Sequence, residues 1–270
     1  MFNTTEGSIY VELRPDVAPK NVTNFLSYVK NGTYTNSIIH RVVADFINQG
    51  GGYKLNSDGQ IIAPTTAAPV VNEFKLSNVR GTIAMAKVSN DPNSATDQFF
   101  FNTADNSASL DTQDGGFTVI GQIVGVQGVN IGSASEGLAV MDAINAVPVF
   151  QFQSPFDSIP LINYTSGTAV EPSNYVYINS ISQYTAKNNG PATPIFSINT
   201  GTYAGPQTLS LTDSTPNATI YYYLFGSTAP SVTKYTGPFT VSSSQYVVAY
   251  ATAPGYSSDS YYNYEYYDID

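Results

Sequence analysis

At 270 residues, with 42% apolar and 13% aromatic side chains, the chain can build sizeable cores, and its length sets a prior of about two domains. Only 11% of residues are charged, and 20 acidic against 10 basic ones give a net charge of -10, which repels phosphate backbones and argues against nucleic-acid binding. No Cys occurs and no apolar run reaches about 18 residues, so disulfides, thiolate nucleophiles, thiolate metal sites and membrane-spanning helices are excluded.

The first residues, Met1 to Thr5, lack the charged and apolar regions of a signal peptide, so either the protein is cytosolic or a Met replaces a removed export signal. Ser8 to Leu13 alternates with period two after a Glu6-Gly7 turn and reads as a strand closed by Pro15 to Pro19. Val22, Phe25, Leu26 and Val29 fall at helical spacing, and Gly32 stops that helix, which predicts an amphipathic helix packed over a sheet or barrel end. Phe25 and Tyr28 are expected in the core.

Ile39 to Gly52 reads as two short strands joined at Ala44-Asp45, with Arg41, Phe46 and Gln49 on one surface. A fixed cation, a ring and an amide together can hold a peptide, because the amide bonds its backbone while the ring accepts an apolar side chain. The glycines Gly50, Gly51 and Gly52 are expected to let the backbone leave the strand. Tyr53 to Val71 reads as a loop with one short strand. Gly81 to Ala86 is a buried strand, and Gln98 to Phe101 a second one in which Phe99 and Phe101 face away from Gln98 and Phe100. Leu138 to Ile144 is helix-like, residues 145–170 form an irregular stretch that Phe150, Phe152, Phe156 and Tyr164 pin to the body, and Tyr175 to Ile181 is expected to close the sheet.

Three blocks in order, IHRVVADFINQGGG from Ile39, RGTIAMAK from Arg80 with DQFFFNTADNSASLD from Asp97, and GGFTVIGQIVG from Gly115, resemble the cyclophilin class of peptidyl-prolyl cis/trans isomerases over about residues 2–185. The resemblance implies a closed β-barrel with capping helices that acts on Xaa-Pro bonds. Matching family positions, Phe46, Ile47, Phe100 and Leu110 would make an apolar proline pocket with Phe117 at its rim. Gln49 and Gln98 would hydrogen-bond the substrate backbone, the backbone of Lys87 would pair with the residue before proline, and Ala86 would leave room for that residue's side chain. Arg41 would be catalytic. Ser109 stands where eukaryotic members carry Trp, a loss that bacterial members share, and Phe117 where they carry His.

The chemistry needs neither cofactor nor metal. Rotation about a prolyl bond faces a barrier of about 18–20 kcal/mol because resonance keeps the amide planar, so a catalyst must bind the twisted amide better than the planar one. In the twisted state the proline nitrogen regains a lone pair that a guanidinium can bond. His40 is the chain's one histidine, which argues against a metal site and against a Ser/His/Asp triad. It is grouped with the binding residues as a packed, hydrogen-bonded neighbour of Arg41.

Composition changes at Asn188 to Thr193, a linker between a domain at 1–187 and another at 194–270. Beyond it, strands at Gln207 to Leu211, Thr219 to Leu224, Phe239 to Val241, Tyr246 to Thr252 and Tyr261 to Tyr267 predict a small β-sandwich, with alternate tyrosines facing inward. PIFSINTGTY (Pro194 to Tyr203) with TPNATIYYYLFGSTAPS from Thr215 resembles the immunoglobulin-like module of chitobiase and β-hexosaminidase C-termini, which implies a bacterial, exported protein. The mainly β whole is therefore expected to be a monomeric isomerase, secreted, periplasmic or at the cell surface, that acts on proline-containing peptides and unfolded clients. The second domain would be a spacer or would dock on a surface polymer or protein. The rival expectation is a non-catalytic module that captures proline-containing segments in adhesion.

Overall fold

A computed structural model describes residues 1–124, 134–183, 190–225, 232–256, 259–260 and 262–270. They fall into two compact units, one holding the described residues up to 183 and the other those from 190 onward. Asn188 and Asn189 of the expected linker, and Tyr261, lie outside the described residues.

In the first unit the strands are β1 (Phe2–Thr4), β2 (Gly7–Ile9), β3 (Val11–Leu13), β4 (Ser37–Val43), β5 (Ile47–Leu55), β6 (Ile61–Ile62), β7 (Thr82–Met85), β8 (Phe99–Asn102) and β9 (Val119–Ile123). After the helix α3 (Ala134–Asn145) come a hairpin of β10 (Val149–Phe150) and β11 (Ile159–Pro160), and then β12 (Tyr177–Ile181). The main sheet runs β2-β1-β12-β4-β5-β8-β7-β9-β3, with β6 appended to β5. Its two ends are β2 and β3, separated only by Tyr10, so the sheet bends round into a nearly closed barrel. That differs from the sequence expectation: β12 lies inside the ring between β1 and β4, and the seam falls within the run that reads as the strand Ser8 to Leu13. Which strand meets which end depends on long-range pairing that no local pattern encodes.

Helix α1 (Pro19–Lys30) starts with Pro in its first turn and ends at Gly32, whose positive φ of 69° a glycine adopts without strain. Its first turn is completed from afar, since a Glu73 carboxylate oxygen accepts the Lys20 and Asn21 backbone N–H groups, each at 3.0 Å. Of the residues at helical spacing Val22 and Phe25 are buried and Leu26 and Val29 half-buried, and Tyr28 is buried with them. The barrel interior joins them to Phe2, Tyr34, Phe99 and Phe101, packed largely edge to face, with Met141 and Ile144 of α3. Phe150, Phe156 and Tyr164 pack with Ile38, Ile159, Leu161 and Tyr175 in a separate cluster that ties residues 145–170 to the barrel wall.

In the second unit β13 (Ile195–Phe196), β14 (Gly201–Tyr203), β15 (Gln207–Leu209), β16 (Leu211–Thr212), β17 (Thr219–Phe225), β18 (Thr233–Lys234), β19 (Phe239–Val241), β20 (Gln245–Thr252) and β21 (Asn263–Ile269) form one five-stranded sheet, ordered β14-β21-β20-β17-β18, and two strand pairs. Phe196, Leu209, Val241, Val247, Ala249 and Tyr267 fill the core, with Tyr222 against it. Tyr221 and Tyr223 must then point to the opposite face, where Tyr221 stacks on Tyr250 at 5.3 Å and Tyr250 meets Tyr262 at 4.9 Å. Tyrosines therefore occupy both faces, whereas the sequence reading favours the inward one.

Candidate functional site

Alternation along β8 separates two environments. Phe99 and Phe101 enter the barrel interior, whereas Phe100 joins Ile47, Leu76, Ala84, Leu110 and Val119 in a second apolar cluster. Phe46, Ala86 and Phe117 border that cluster and keep part of their surface exposed. Phe117 meets Phe100 edge to face at 5.6 Å, and its backbone N–H donates to the Leu110 carbonyl at 2.9 Å. The apolar residues expected from sequence are thus brought together as a cluster that is buried at its base and open at its rim.

The polar side is built by strand register. Arg41 on β4 lies opposite Gln49 on β5, and Gln49 lies opposite Phe100 on β8. An Arg41 Nη1–H donates to Gln49 Oε1 at 3.4 Å, and Gln49 Nε2 donates to Gln98 Oε1 at 2.9 Å. Among the described residues, ion pairs join Arg14 to Asp16 and Arg80 to Asp142, and none involves Arg41. Its guanidinium therefore keeps donors for another acceptor.

The triple glycine differs from its expected role. Strand β5 continues through Gly50, Gly51 and Gly52 to Leu55 rather than leaving the sheet. Gly51 adopts a positive φ of 94°, and a Cβ on Gly52 would fall 2.5 Å from the Gln98 amide nitrogen. Gly52 makes room for Gln98, and Gly51 for the Asp97 carbonyl, which only the folded register reveals.

His40, beside Arg41 on β4, is 2% exposed, so its ring is buried rather than presented to a ligand. Burial, reinforced by the Arg41 charge, pushes its pKa down to about 4, and the ring is neutral near pH 7. Lys87 adds a contact unforeseen in the sequence. Its Nζ donates to the carbonyls of Asp114 and Gly116 at 2.9 and 2.7 Å and sits 4.5 Å from the centre of the Phe117 ring. Desolvation lowers its pKa despite the nearby Asp114 and Asp91 charges.

Sequence reasoning also missed the scaffold behind the cluster. Asn102 Nδ2 donates to Asn78 Oδ1 and Thr82 Oγ1, and Asn106 Nδ2 donates to Asn102 Oδ1 and to the Phe46 carbonyl. Asn78 Nδ2 in turn donates to the Phe117 carbonyl at 3.0 Å. Three buried amides thereby fix the backbones that carry Phe46 and Phe117. The four-residue spacing of Asn102 and Asn106 is the one signal the sequence carries for them. Among the described residues no group of three or more His, Cys, Asp or Glu could hold a metal ion.

Residues 1–166 match the model of the cyclophilin-type peptidyl-prolyl cis-trans isomerases, and residues 198–263 match that of the chitobiase/β-hexosaminidase C-terminal domain. A peptidyl-prolyl cis-trans isomerase of Acinetobacter baylyi is 42% identical over 150 residues, covering 54% of this chain and 71% of that protein. Isomerases of Streptomyces antibioticus and Escherichia coli are 40% and 36% identical over 152 residues, each covering 54% of this chain and 82% or 83% of the relative. On this match and these relatives, the chain belongs to the cyclophilin-type peptidyl-prolyl cis-trans isomerases.

Proposed function

We propose that Arg41 catalyses the prolyl isomerisation, by donating to the proline nitrogen as the amide twists out of plane. One observation carries this reading: Arg41 has no carboxylate partner among the described residues and is linked, through Gln49, to the strand that bears Phe100. The planar amide nitrogen is a poor acceptor because its lone pair is delocalised, and the twisted one is a good acceptor. The hydrogen bond thus strengthens on the way to the transition state, as catalysis requires. The proline ring would lie against Phe46, Ile47, Phe100 and Leu110, with Phe117 at the rim. Gln49 and Gln98 would bond the substrate backbone, and the Lys87 backbone would pair with the preceding residue, whose side chain passes Ala86. Neither a cofactor nor a nucleophile takes part, because no bond is broken.

The substrates are proline-containing peptides and unfolded chains, and we place the protein outside the bacterial cytoplasm, acting on exported clients. The supports are the low charge content, a polar composition rich in Asn, Ser, Thr and Tyr, and the appended chitobiase/β-hexosaminidase C-terminal-type domain. Fractionation of the native host tests the location, and recovery in the cytosol alone would remove it. Catalysed cis/trans exchange of short Xaa-Pro peptides by the wild-type chain and by Arg41→Ala tests the mechanism. We expect a loss of about a hundredfold in kcat/KM, the scale for removing one donor to a developing charge. An undiminished rate would sink the role of Arg41.

A further inference from the structure

Phe117 sits at the end of a short segment outside the sheet. Asp114, Gly115 and Gly116 in succession adopt positive φ angles of 51°, 76° and 79°, a left-handed run that an Asp enters only where its surroundings hold it. The carbonyls of this run are held by side chains from two distant parts of the chain. Asn72 Nδ2 donates to the Gly115 and Gly116 carbonyls at 2.7 and 2.9 Å. Lys87, which follows β7 and Ala86, donates from Nζ to the Asp114 and Gly116 carbonyls at 2.9 and 2.7 Å.

The two carbonyls that Lys87 bridges share its nitrogen with the Phe117 ring, whose centre lies 4.5 Å away. Carbonyl oxygens only accept, and the face of an aromatic ring carries negative charge density, so the three form a nest that suits a cation. We infer that Lys87 is a positioning residue: its ammonium fills the nest made by the Asp114 and Gly116 carbonyls and the Phe117 ring, and so sets Phe117 as a wall of the proline pocket. The inference rests on the proposed pocket and extends it.

The segment has little room to settle elsewhere. On another side it is pressed against Phe74, since a Cβ on Gly116 would fall into that ring. The Phe117 N–H donates to the Leu110 carbonyl at 2.9 Å, and the Phe117 carbonyl accepts from Asn78 Nδ2 at 3.0 Å. These bonds place the Phe117 backbone but do not set its ring, which Phe100 meets edge to face at 5.6 Å and the Lys87 ammonium covers. One residue then serves two walls of the same groove. The Lys87 main chain is read as the partner of the residue before proline, and its side chain sets the wall that receives the proline ring.

The proline ring keeps that apolar contact while the amide twists, so loss of the wall costs affinity more than rate. In the full-length protein Lys87→Met, which keeps an apolar stem without charge or donors, should weaken the Kd of a short Ala-Pro peptide about fivefold, with the on-enzyme exchange rate changed less than about twofold. Lys87→Arg, which restores charge and donors, should recover most of that affinity. In a Phe117→Ala background Lys87→Met should cost nothing further, because its effect passes through that ring. A wild-type Kd in Lys87→Met beside a weakened Phe117→Ala, equal losses in Lys87→Met and Lys87→Arg, or a full further loss in the double variant would overturn the inference. The proton spectrum gives an independent reading. The Lys87 ε-methylene should be shifted upfield by the ring in the wild type and return to its ordinary position in Phe117→Ala. An unshifted signal in the wild type would overturn the inference even if Lys87→Met did not fold. Phe117→Ala that binds peptide like the wild type defeats the pocket reading instead, whereas the shifted methylene still reports the contact between Lys87 and the ring.

Discussion

The barrel holds two apolar regions that share strands but differ in kind. The interior, with Phe2, Phe25, Tyr34, Phe99 and Phe101, is sealed by rings that meet ring to ring. The outer cluster around Phe100 ends in four half-buried residues, Val17, Phe46, Ala86 and Phe117, whose free surface nothing in the described chain covers fully. Phe99, Phe100 and Phe101 are adjacent and chemically identical, yet the pleat gives two of them to stability and one to the site. Apolar character alone thus says little about role. The face of the strand decides.

The strongest way to break this comparison is Phe99→Ala. A fully buried ring lost from a close-packed interior costs about 3–5 kcal/mol, a large share of the stability of any domain. A thermal or urea melt should show the first unit largely destabilised, with isomerase activity lost in proportion to unfolding. If Phe99→Ala melted like the wild type, the interior assignment would fail.

Charge sharpens the comparison next. On the barrel wall, burial pushes the Glu12 carboxyl up to about 7, partly offset by the Arg14 charge, and Oε2 is buried without a partner. Its raised pKa means that the folded chain keeps a proton the unfolded chain releases, so this stability is present below about pH 4.5 and lost as pH rises through about 7. Beneath the site His40 acts the other way. Its pKa is lowered by burial to about 4, so its stability is present above about pH 6.5 and lost as pH falls through about 4. Glu12→Gln should therefore stabilise the chain by about 2 kcal/mol at pH 8 and leave it nearly unchanged at pH 4, a difference that paired urea titrations resolve. Equal effects at both pH values would show that the carboxyl titrates normally.

The smallest effect lies at the rim. Phe117→Ala removes a half-buried ring, its contact with Phe100 and the surface under Lys87. On the proposed reading, peptide affinity should fall about tenfold, a loss of the size expected for one apolar group, while the melting temperature moves by a few degrees at most. Isothermal titration with a proline peptide measures the first quantity. Unchanged affinity would remove Phe117 from the pocket.

How much of this was legible in the sequence follows from range. Helix α1 and the two faces of β8 are local, because periods of 3.6 and 2 declare themselves within a few residues. The seam at Tyr10 is not, since β2 pairs locally with β1 while β3 pairs with β9, more than a hundred residues further along the chain. The site divides in the same way. Arg41, Gln49 and Phe100 stand in a recognisable motif, but the space Gly52 leaves for Gln98, the reach of Lys87 to Gly116 and the buried Asn78, Asn102 and Asn106 amides depend on residues tens of positions apart. Glu73 illustrates the limit, because its carboxylate caps a helix that begins more than fifty residues earlier.

The central claim is that Arg41 acts on the twisted amide more than on the bound peptide. Its most direct test is exchange spectroscopy at saturating Xaa-Pro peptide, which reads the on-enzyme isomerisation rate and the peptide Kd separately in the wild type and in Arg41→Ala. The account predicts an on-enzyme rate lower by about a hundredfold with Kd changed by less than about fivefold. A weakened Kd with an unchanged on-enzyme rate would contradict it, making Arg41 a binding residue and placing catalysis elsewhere.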